Sequence, residues 1–433
     1  MAMVVKNNMS AISTLNTLNK NSSALSKSLQ KVSSGMKING AADDASGYAI
    51  SERMRVQIRG LDQANQNTQN GSSMMKVAEG AVSSTVDILK TLKEKVINAA
   101  NDTNTDADRQ TIQKELDQSI DQINDNANVT YNGKYLVDGS HNSKVSATTS
   151  SLTNESLAKG TKFTDLLTAL KDRNDQNLNI VKGDTITLSY VKEGSTHTTS
   201  MTVASDTKLS DIIGKFSTDI VAKTNTNSVI GKDIAGDTVN TADGGDALTI
   251  TAKGTGVDKQ ISGLTFSVSN SKGQVKKSVN AVLDNFSESI RAQNEGADNS
   301  INLQVGTKSN QSIKVGLTDM RAEALGLQAK DGKTLNISTK DYANAAINVL
   351  DNAVQKALDQ QTTIGAVQSR LEYTSSNLTT ASENVQASES TIRDADMAKE
   401  MTNYTKNNVL MQAAQAMLSQ ANQSSSSVLS LLQ

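Results

Sequence analysis

Apolar positions recur in steps of three and four from Leu15 through Leu18, Leu25, Leu29, Val32 and Met36, with Ser22 the one polar member. That spacing predicts a helix with a heptad-like seam, able to pack along a second helix. Gly35 and Gly40 interrupt it. A second amphipathic run follows through Ile50, Met54, Ile58 and Leu61, and a third through Met74, Ala78, Ala81, Thr85, Ile88, Leu92 and Val96. The polar stretch "NDTNTDADR" breaks the pattern before Ile112, Leu116, Ile120 and Ile123 resume it. In "TYNGKYLV", Asn132-Gly133 between β-prone flanks predicts a tight hairpin.

Residues 140–296 follow a different period. "GDTITLSYV" and "HTTSMTVAS" alternate as strands do, between turns of Gly, Asn and Asp. Short helices are expected around "FTDLLTALKD" and "SVNAVLDNFSESIRAQ". "INLQVG" and "SIKVGL" then form another hairpin across "TKSNQ". A long helical run passes through Tyr342, Ala346, Val349, Ala353, Ala357, Ile364, Val367, Leu371 and Leu378. A last one uses Leu410, Ala414, Met417, Ala421, Ser424, Val428 and Leu431. The fold class is mostly α with a β-rich insert: N- and C-terminal helices pair into a coiled-coil-like bundle and rod around a β-rich middle domain. A lone terminal helix of this polarity is marginal in water, so the ends order by packing. Their seams mix Ser, Ala, Gln and Asn with Leu, which suits many repeated shallow contacts of the kind a polymerising subunit makes.

Composition sharpens this picture. The chain of 433 residues has no proline, cysteine or tryptophan, and only 3% aromatic residues. The absence of proline suits long helices. The scarcity of aromatics moves burial onto small and medium groups along extended interfaces. A net charge of −2 without any basic-aromatic pattern gives no case for nucleic acid. Residues 1–42 hold five lysines and no acid, and residues 401–433 hold only Lys406 as a charge. No apolar run is long enough to span a membrane. The N-terminus lacks a secretory h-region, so the expectation is retention inside or export by a route that reads an uncleaved N-terminus.

Candidate chemistry is sparse. Gly35 and Gly40 have the spacing of half a phosphate loop, but Ala41 and Ala42 stand where the loop needs Lys and Ser or Thr. Asp43 and Asp44 lack a third ligand at useful spacing and read as a helix cap. His141 and His197 read as solvated loop residues, with no H-E-x-x-H and no nucleophile elbow nearby. "RDADMAKEM", residues 393–401, is a solvated charged helix face, and Met397, Met401, Met411 and Met417 fill irregular gaps. No catalytic, cofactor-binding or metal-ligating residues are assigned, and no cofactor is expected.

"LQKVSSGMKINGAADDASGYAISERMRVQIRGLDQANQNTQNGSSMMKVAEGA" and "GAVQSRLEYTSSNLTTASENVQASESTIRDADMAKEMTNYTKNNVL" resemble the two terminal signatures of bacterial flagellin. The resemblance covers about residues 1–138 and 301–433. It implies an extracellular subunit of the flagellar filament, exported unfolded by the flagellar type III apparatus, working as part of a propeller and catalysing nothing. It implies an N-terminal inner-tube helix at 1–40, a helical rod from 41–139 and 297–385, an outward variable domain at 140–296, and a C-terminal inner-tube helix at 386–433. Inner-tube packing then falls to Leu15, Leu18, Leu25, Leu29, Val32, Leu410, Ala414, Met417, Ala421, Val428 and Leu431. Gly35, Gly40, Asp43 and Asp44 become the joint between layers. The implied partners are further copies of the chain, an export chaperone, the filament cap and hook-junction proteins. The rival readings are a hook–filament junction protein and a secreted adhesin on a helical stalk.

Two departures from the family pattern matter. The end reads "ANQSSSSVLSLLQ", without the proline that members often carry there, which favours a continuous helix offset in part by four serines. Flagellins sensed by the vertebrate Toll-like flagellin receptor typically carry "LQRVRELAVQ", where this chain has "LKTLKEKVIN" at 89–98. Thr91 replaces the family arginine and Lys95 a leucine, while Glu115 matches. Losing an interface arginine and adding a lysine to be desolvated predicts weak receptor activation.

Overall fold

The computed structural model describes residues 8–224, 228–242 and 244–430, with side-chain surroundings up to residue 424. In chain order its helices are α1 (Met9–Ser34), α2 (Ala45–Ala99), α3 (Asp106–Ala127), α4 (Leu209–Ile213), α5 (Lys277–Leu283), α6 (Ala322–Leu325), α7 (Lys340–Arg393) and α8 (Met397–Ser430). Its strands are β1 (Thr130–Tyr131), β2 (Lys134–Tyr135), β3 (Ser151–Asn154), β4 (Thr185–Lys192), β5 (Ser195–Thr202), β6 (Ile220–Thr224), β7 (Val229–Lys232), β8 (Thr238–Asn240), β9 (Leu248–Ala252), β10 (Ile261–Ser269), β11 (Phe286–Ile290), β12 (Ile301–Gln304) and β13 (Ser312–Val315). The chain divides into two compact units: Met1–Thr68 with Gln304–Gln311 and Tyr373–Gln433, and Gln69–Leu303 with Ser312–Glu372.

The first unit is helical. The α1 helix starts where the Asn8 side chain accepts from Ala11 N–H. It ends at Gly35, whose φ of 71° is the left-handed conformation that glycine tolerates. The Gly35 N–H closes the last turn on Lys31 O. The opening part of α2 and the closing part of α7 meet through a small apolar cluster of Leu61, Ala64 and Leu378. Polar bonds add to it: Ser375 Oγ donates to Asn65 Oδ1 at 2.7 Å, and Ser382 Oγ to Asp62 Oδ1 at 3.1 Å. The second and third amphipathic runs of the sequence belong to one uninterrupted helix, α2, because "DQANQNTQNGSS" between them holds no residue that must break a helix.

The second unit joins helices to a β lobe. Buried Met75, Val82, Leu89 and Val96 of α2 alternate with exposed positions, as do Leu116, Ile120 and Ile123 of α3 and Ala346, Leu350, Ala353 and Ala357 of α7. The α2–α3 turn is fixed by a reciprocal cap. Thr105 N–H donates to Asp108 Oδ2 at 2.9 Å, and Asp108 N–H to Thr105 Oγ1 at 3.3 Å. Buried Arg109 completes the turn by donating to Ala99 O and Asn101 O. A cation there satisfies carbonyls left open at the end of α2. In the β lobe a three-stranded sheet, β10-β4-β5, and a four-stranded sheet, β11-β3-β9-β6, are antiparallel throughout. Leu152, Ile186, Leu188, Tyr190, Ile250 and Phe266 belong to its core. The Asn132-Gly133 hairpin forms as β1-β2, with φ of 50° and 75° at the two turn residues, and β12-β13 form the second hairpin.

Three local expectations need correction. "FTDLLTALKD" makes only a 3-10 turn at Leu167–Ala169. Its main chain is drawn to distant partners instead: Ser210 N–H donates to Phe163 O, Leu209 N–H to Asp165 O, and Leu178 N–H to Leu170 O. "SVNAVLDNFSESIRAQ" is helical only to Leu283, and its second half becomes β11 paired with β3, with a bulge between Glu288 and Ile290. His197 lies on β5 rather than in a loop, stacked on Tyr190 with ring centroids 5.0 Å apart.

Candidate assembly site

The pairing of α1 with α8 is antiparallel and held by amides. Asn8 Nδ2 donates to Ala421 O at 3.1 Å, Asn21 Nδ2 to Leu410 O at 3.2 Å, and Asn407 Nδ2 to Ser28 Oγ at 3.0 Å. On α1, Leu18, Leu25 and Val32 are half-buried, and Ser28 is buried on the same face. Across from them Ala414 is buried and Ala421 half-buried, so small side chains let the helices close on each other. The other seam members point away. Leu15 is 45% exposed, Leu29 52%, Leu410 41% and Met417 62%. Met397 and Met401 are exposed and Met411 half-buried. The structure therefore brings Leu18, Leu25, Val32, Ala414 and Ala421 together and leaves Leu15, Leu29, Leu410 and Met417 only partly covered within the chain. The side chain of Val428 and all of Leu431 lie outside the described residues.

Two connectors, α1 to α2 and α7 to α8, run side by side at the joint. Lys37 N–H donates to Arg393 O at 2.7 Å, and Ala395 N–H to Gly35 O at 2.9 Å, around an antiparallel bridge of Met36 with Asp394. Met36 thus belongs to the joint and not to the helical seam. Asp44 Oδ1 accepts from Ser46 N–H and Gly47 N–H, both at 3.0 Å. Those bonds satisfy two open donors at the start of α2. Asp43 Oδ2 accepts from Asn39 N–H at 3.0 Å and tightens the turn. Gly40 has an ordinary φ and open space around it. Gly47 is the demanding glycine, since a Cβ there would sit 2.5 Å from Asp44 Oδ2 and 2.8 Å from Ile38 Cδ1.

The residue that ties the joint is Arg393, with its side chain 6% exposed. Its Nη1 donates to Glu52 Oε1 at 2.6 Å, its Nε reaches Met36 Sδ at 3.2 Å, and its guanidinium lies 5.4 Å from the centre of the Tyr48 ring. That one side chain touches the first connector, the first turns of α2 and the end of α7. The Arg393 hydrogen bond, with the charges of Arg393 and Arg55, holds the Glu52 carboxyl below its ordinary range. Sequence reasoning places Arg393 in a solvated charged face and gives Gly47 no role. The one available signal is an arginine closing a long Ser- and Thr-rich helix, which spacing alone does not interpret.

In the second unit Lys95 Nζ lies 3.0 Å from Glu115 Oε1, with both side chains partly exposed. Thr91 Oγ1 is turned back onto Asp87 O at 3.0 Å. His141 Nδ1 lies 3.1 Å from Asn299 O. Among the described residues no helix is long and apolar enough to cross a membrane, and no group of three or more His, Asp or Glu is placed to hold a metal ion.

Comparison with known proteins specifies the class to which a chain with paired terminal helices and an inserted β lobe belongs. Residues 5–142 match the family model of the bacterial flagellin N-terminal helical region, and residues 347–432 that of the C-terminal helical region. The chain is 35% identical over 425 residues to a flagellin of Clostridium tyrobutyricum, covering 97% of this chain and 99% of that one. It is 30% identical over 450 residues to a flagellin of Bacillus subtilis strain 168, covering 99% and 100%. Among solved structures, flagellar hook-associated protein-3 of Legionella pneumophila aligns at 14% identity with a TM-score of 0.34, over 78% of this chain and 97% of that one. The chain belongs to the bacterial flagellin family.

Proposed function

We infer that this chain is a structural subunit of the extracellular flagellar filament, polymerising with itself and serving a mechanical role rather than a catalytic one. The observation that carries this reading is the split seam. One stripe of α1 and α8 packs the chain against itself, and a second apolar stripe with Leu15, Leu29, Leu410 and Met417 stays open. Large apolar side chains repeatedly left open along a helix pair suit a surface that another protein covers. Identical copies cover it here: residues 1–40 and 386–433 pack into an inner tube, 41–139 and 297–385 into a rod outside it, and 140–296 faces outward. Export in unfolded form, by an apparatus that reads the N-terminus, precedes assembly. The export chaperone, filament cap and hook-junction proteins are the further partners of this reading. Removing residues 410–433 tests it. Polymerisation should be abolished while the β lobe keeps its melting transition, and long filaments from the truncated chain would refute the terminal-helix mechanism. Deleting residues 140–296 should leave assembly intact, whereas loss of filaments would move the assembly function into the β lobe.

The same reading makes this flagellin a weak activator of the vertebrate Toll-like flagellin receptor. Thr91 offers no guanidinium, and Lys95 already occupies Glu115. An arginine at an interface centre contributes about 2 kcal/mol or more, so restoring it should matter. The double variant T91R/K95L should shift a reporter-cell dose response by about 30-fold toward lower concentration. A native chain already as potent as a strongly stimulatory flagellin would sink the idea.

A further inference from the structure

We propose that Met9, Met397, Met401 and Met417 form an oxidation site that governs assembly. Peroxide converts their thioethers to sulfoxides in the free chain, and chains modified in this way no longer add to the polymer. The site rests on the polymer reading above, which supplies the copies that cover these side chains.

Exposed methionine is confined to the two helices that pair. On α1 Met9 is 69% exposed, and on α8 Met397, Met401 and Met417 are 43%, 46% and 62% exposed. Elsewhere among the described residues methionine is covered: Met74, Met75 and Met320 are buried, and Met36, Met54 and Met201 half-buried. Met36 is also held in place, since Arg393 Nε reaches its Sδ at 3.2 Å. The composition directs the chemistry to the same atoms. The chain has no cysteine and no tryptophan, so the thioether is its most readily oxidised side chain.

The four stand where neighbouring copies pack. Asn8 Nδ2 donates to Ala421 O, so Met9 and Met417 lie toward the same end of the α1–α8 pair. Met417 is one heptad beyond Leu410 and shares its open side. Met397 and Met401 lie toward the joint at the other end. By helical geometry Met401 points about 160° away from Met417 around α8. The helix pair therefore presents thioethers on both flanks. Copies related by a helical operation meet through two different surfaces, and each chain then has a neighbour on either flank.

Hydrogen peroxide transfers one oxygen atom to the methionine sulfur. The S–O bond forms as the O–O bond breaks, the sulfur loses two electrons, and the peroxide leaves as water. A flexible apolar group that fills gaps becomes a strong hydrogen-bond acceptor. In the single chain the new oxygen is solvated, and the pairing of α1 with α8 is untouched. Between copies it is buried against side chains such as Leu15, Leu29 and Leu410, which offer no donor. An unsatisfied buried acceptor lowers affinity by about 10-fold or more.

The test treats full-length monomers with hydrogen peroxide and maps sulfoxides by peptide mass spectrometry. Met9, Met397, Met401 and Met417 should oxidise ahead of Met74, Met75 and Met320, and the same four should be shielded in filaments. Treated monomers should keep their thermal midpoint, while their critical concentration rises about 10-fold or more. Methionine sulfoxide reductase with a dithiol reductant should restore polymerisation. M9L/M397L/M401L/M417L conserves volume, so it should polymerise and be indifferent to peroxide. Treated monomers that polymerise as before would overturn the proposal. So would filaments oxidised at the four sites as fast as monomers, or a leucine variant as sensitive as the native chain. If that variant does not polymerise, the reductase decides: assembly that stays lost once the sulfoxides are reduced overturns the proposal too. Failure of the untreated chain to form filaments under any condition would instead refute the polymer reading.

Discussion

Trimming Leu15 and Leu29 to alanine separates what holds the monomer from what holds the polymer. Leu15 is 45% exposed and Leu29 52% exposed in the single chain. Burying a whole leucine side chain is worth about 1.5–3 kcal/mol, so covering the open half is worth about 1 kcal/mol at each site. The rise of an α-helix separates the two positions by about 21 Å, far enough for their effects to add. L15A/L29A should therefore weaken subunit addition by about 2 kcal/mol, raising the critical concentration for polymerisation by about 30-fold. Alanine is the stronger helix former, so α1 itself is not penalised. Sedimentation across a concentration series gives the soluble plateau directly, and the thermal midpoint of the monomer serves as the internal control. Leu25→Ala should behave differently, lowering monomer stability as well, because Leu25 is half-buried on the α8 side. An unchanged plateau for L15A/L29A, or a loss that appears wholly in monomer melting, would refute the division of the seam into inner and outer stripes.

Three more outcomes follow from the two units. Lys356 and Glu288 form an ion pair of 3.2 Å with side chains 6% and 8% exposed. Removing one partner of a buried pair strands the other charge, so K356Q should cost about 3 kcal/mol in denaturant unfolding of the second unit, and K356M/E288M much less. Burial raises the Asp284 carboxyl from 3.8 to about 6. Its folded form thus holds a proton that the unfolded chain gives up, so its contribution to stability is full below about pH 4 and lost as pH rises through about 6. D284N keeps an acceptor for Phe266 N–H and should flatten the melting temperature over that window, whereas an unaltered pH profile would show that Asp284 does not set it. R393Q leaves Tyr48 and Glu52 without their shared partner. It should speed amide exchange at Lys37 and Ala395, whose N–H groups close the joint, without changing exchange in the β lobe.

Much of this architecture is legible in the sequence, for identifiable reasons. Steps of three and four bring out α7, which buries one face in the second unit, and α1 and α8, whose seams are half-buried against each other and half open, and Asn132-Gly133 forces its own turn. Two kinds of information are missing. Positions 15, 22 and 29 share their heptad spacing with positions 18, 25 and 32, so period alone cannot say which stripe meets α8; the amides of Asn21 and Asn407 decide it. "FTDLLTALKD" has helical spacing, yet Phe163, Leu167 and Leu170 serve the β-lobe core, and that core outweighs local propensity. At the joint, Gly35 announces itself through the end of the seam. Arg393 does not, because its importance comes from Met36, Tyr48 and Glu52, residues far away in sequence.

A high-resolution cryo-electron reconstruction of the polymerised chain would show what covers the open side chains of α1 and α8. Side chains of neighbouring copies should pack on Leu15, Leu29, Leu410 and Met417, with the α1–α8 pairing of the single chain preserved beneath them. Filaments in which those four side chains still face solvent, or in which α1 and α8 have parted, would contradict that packing.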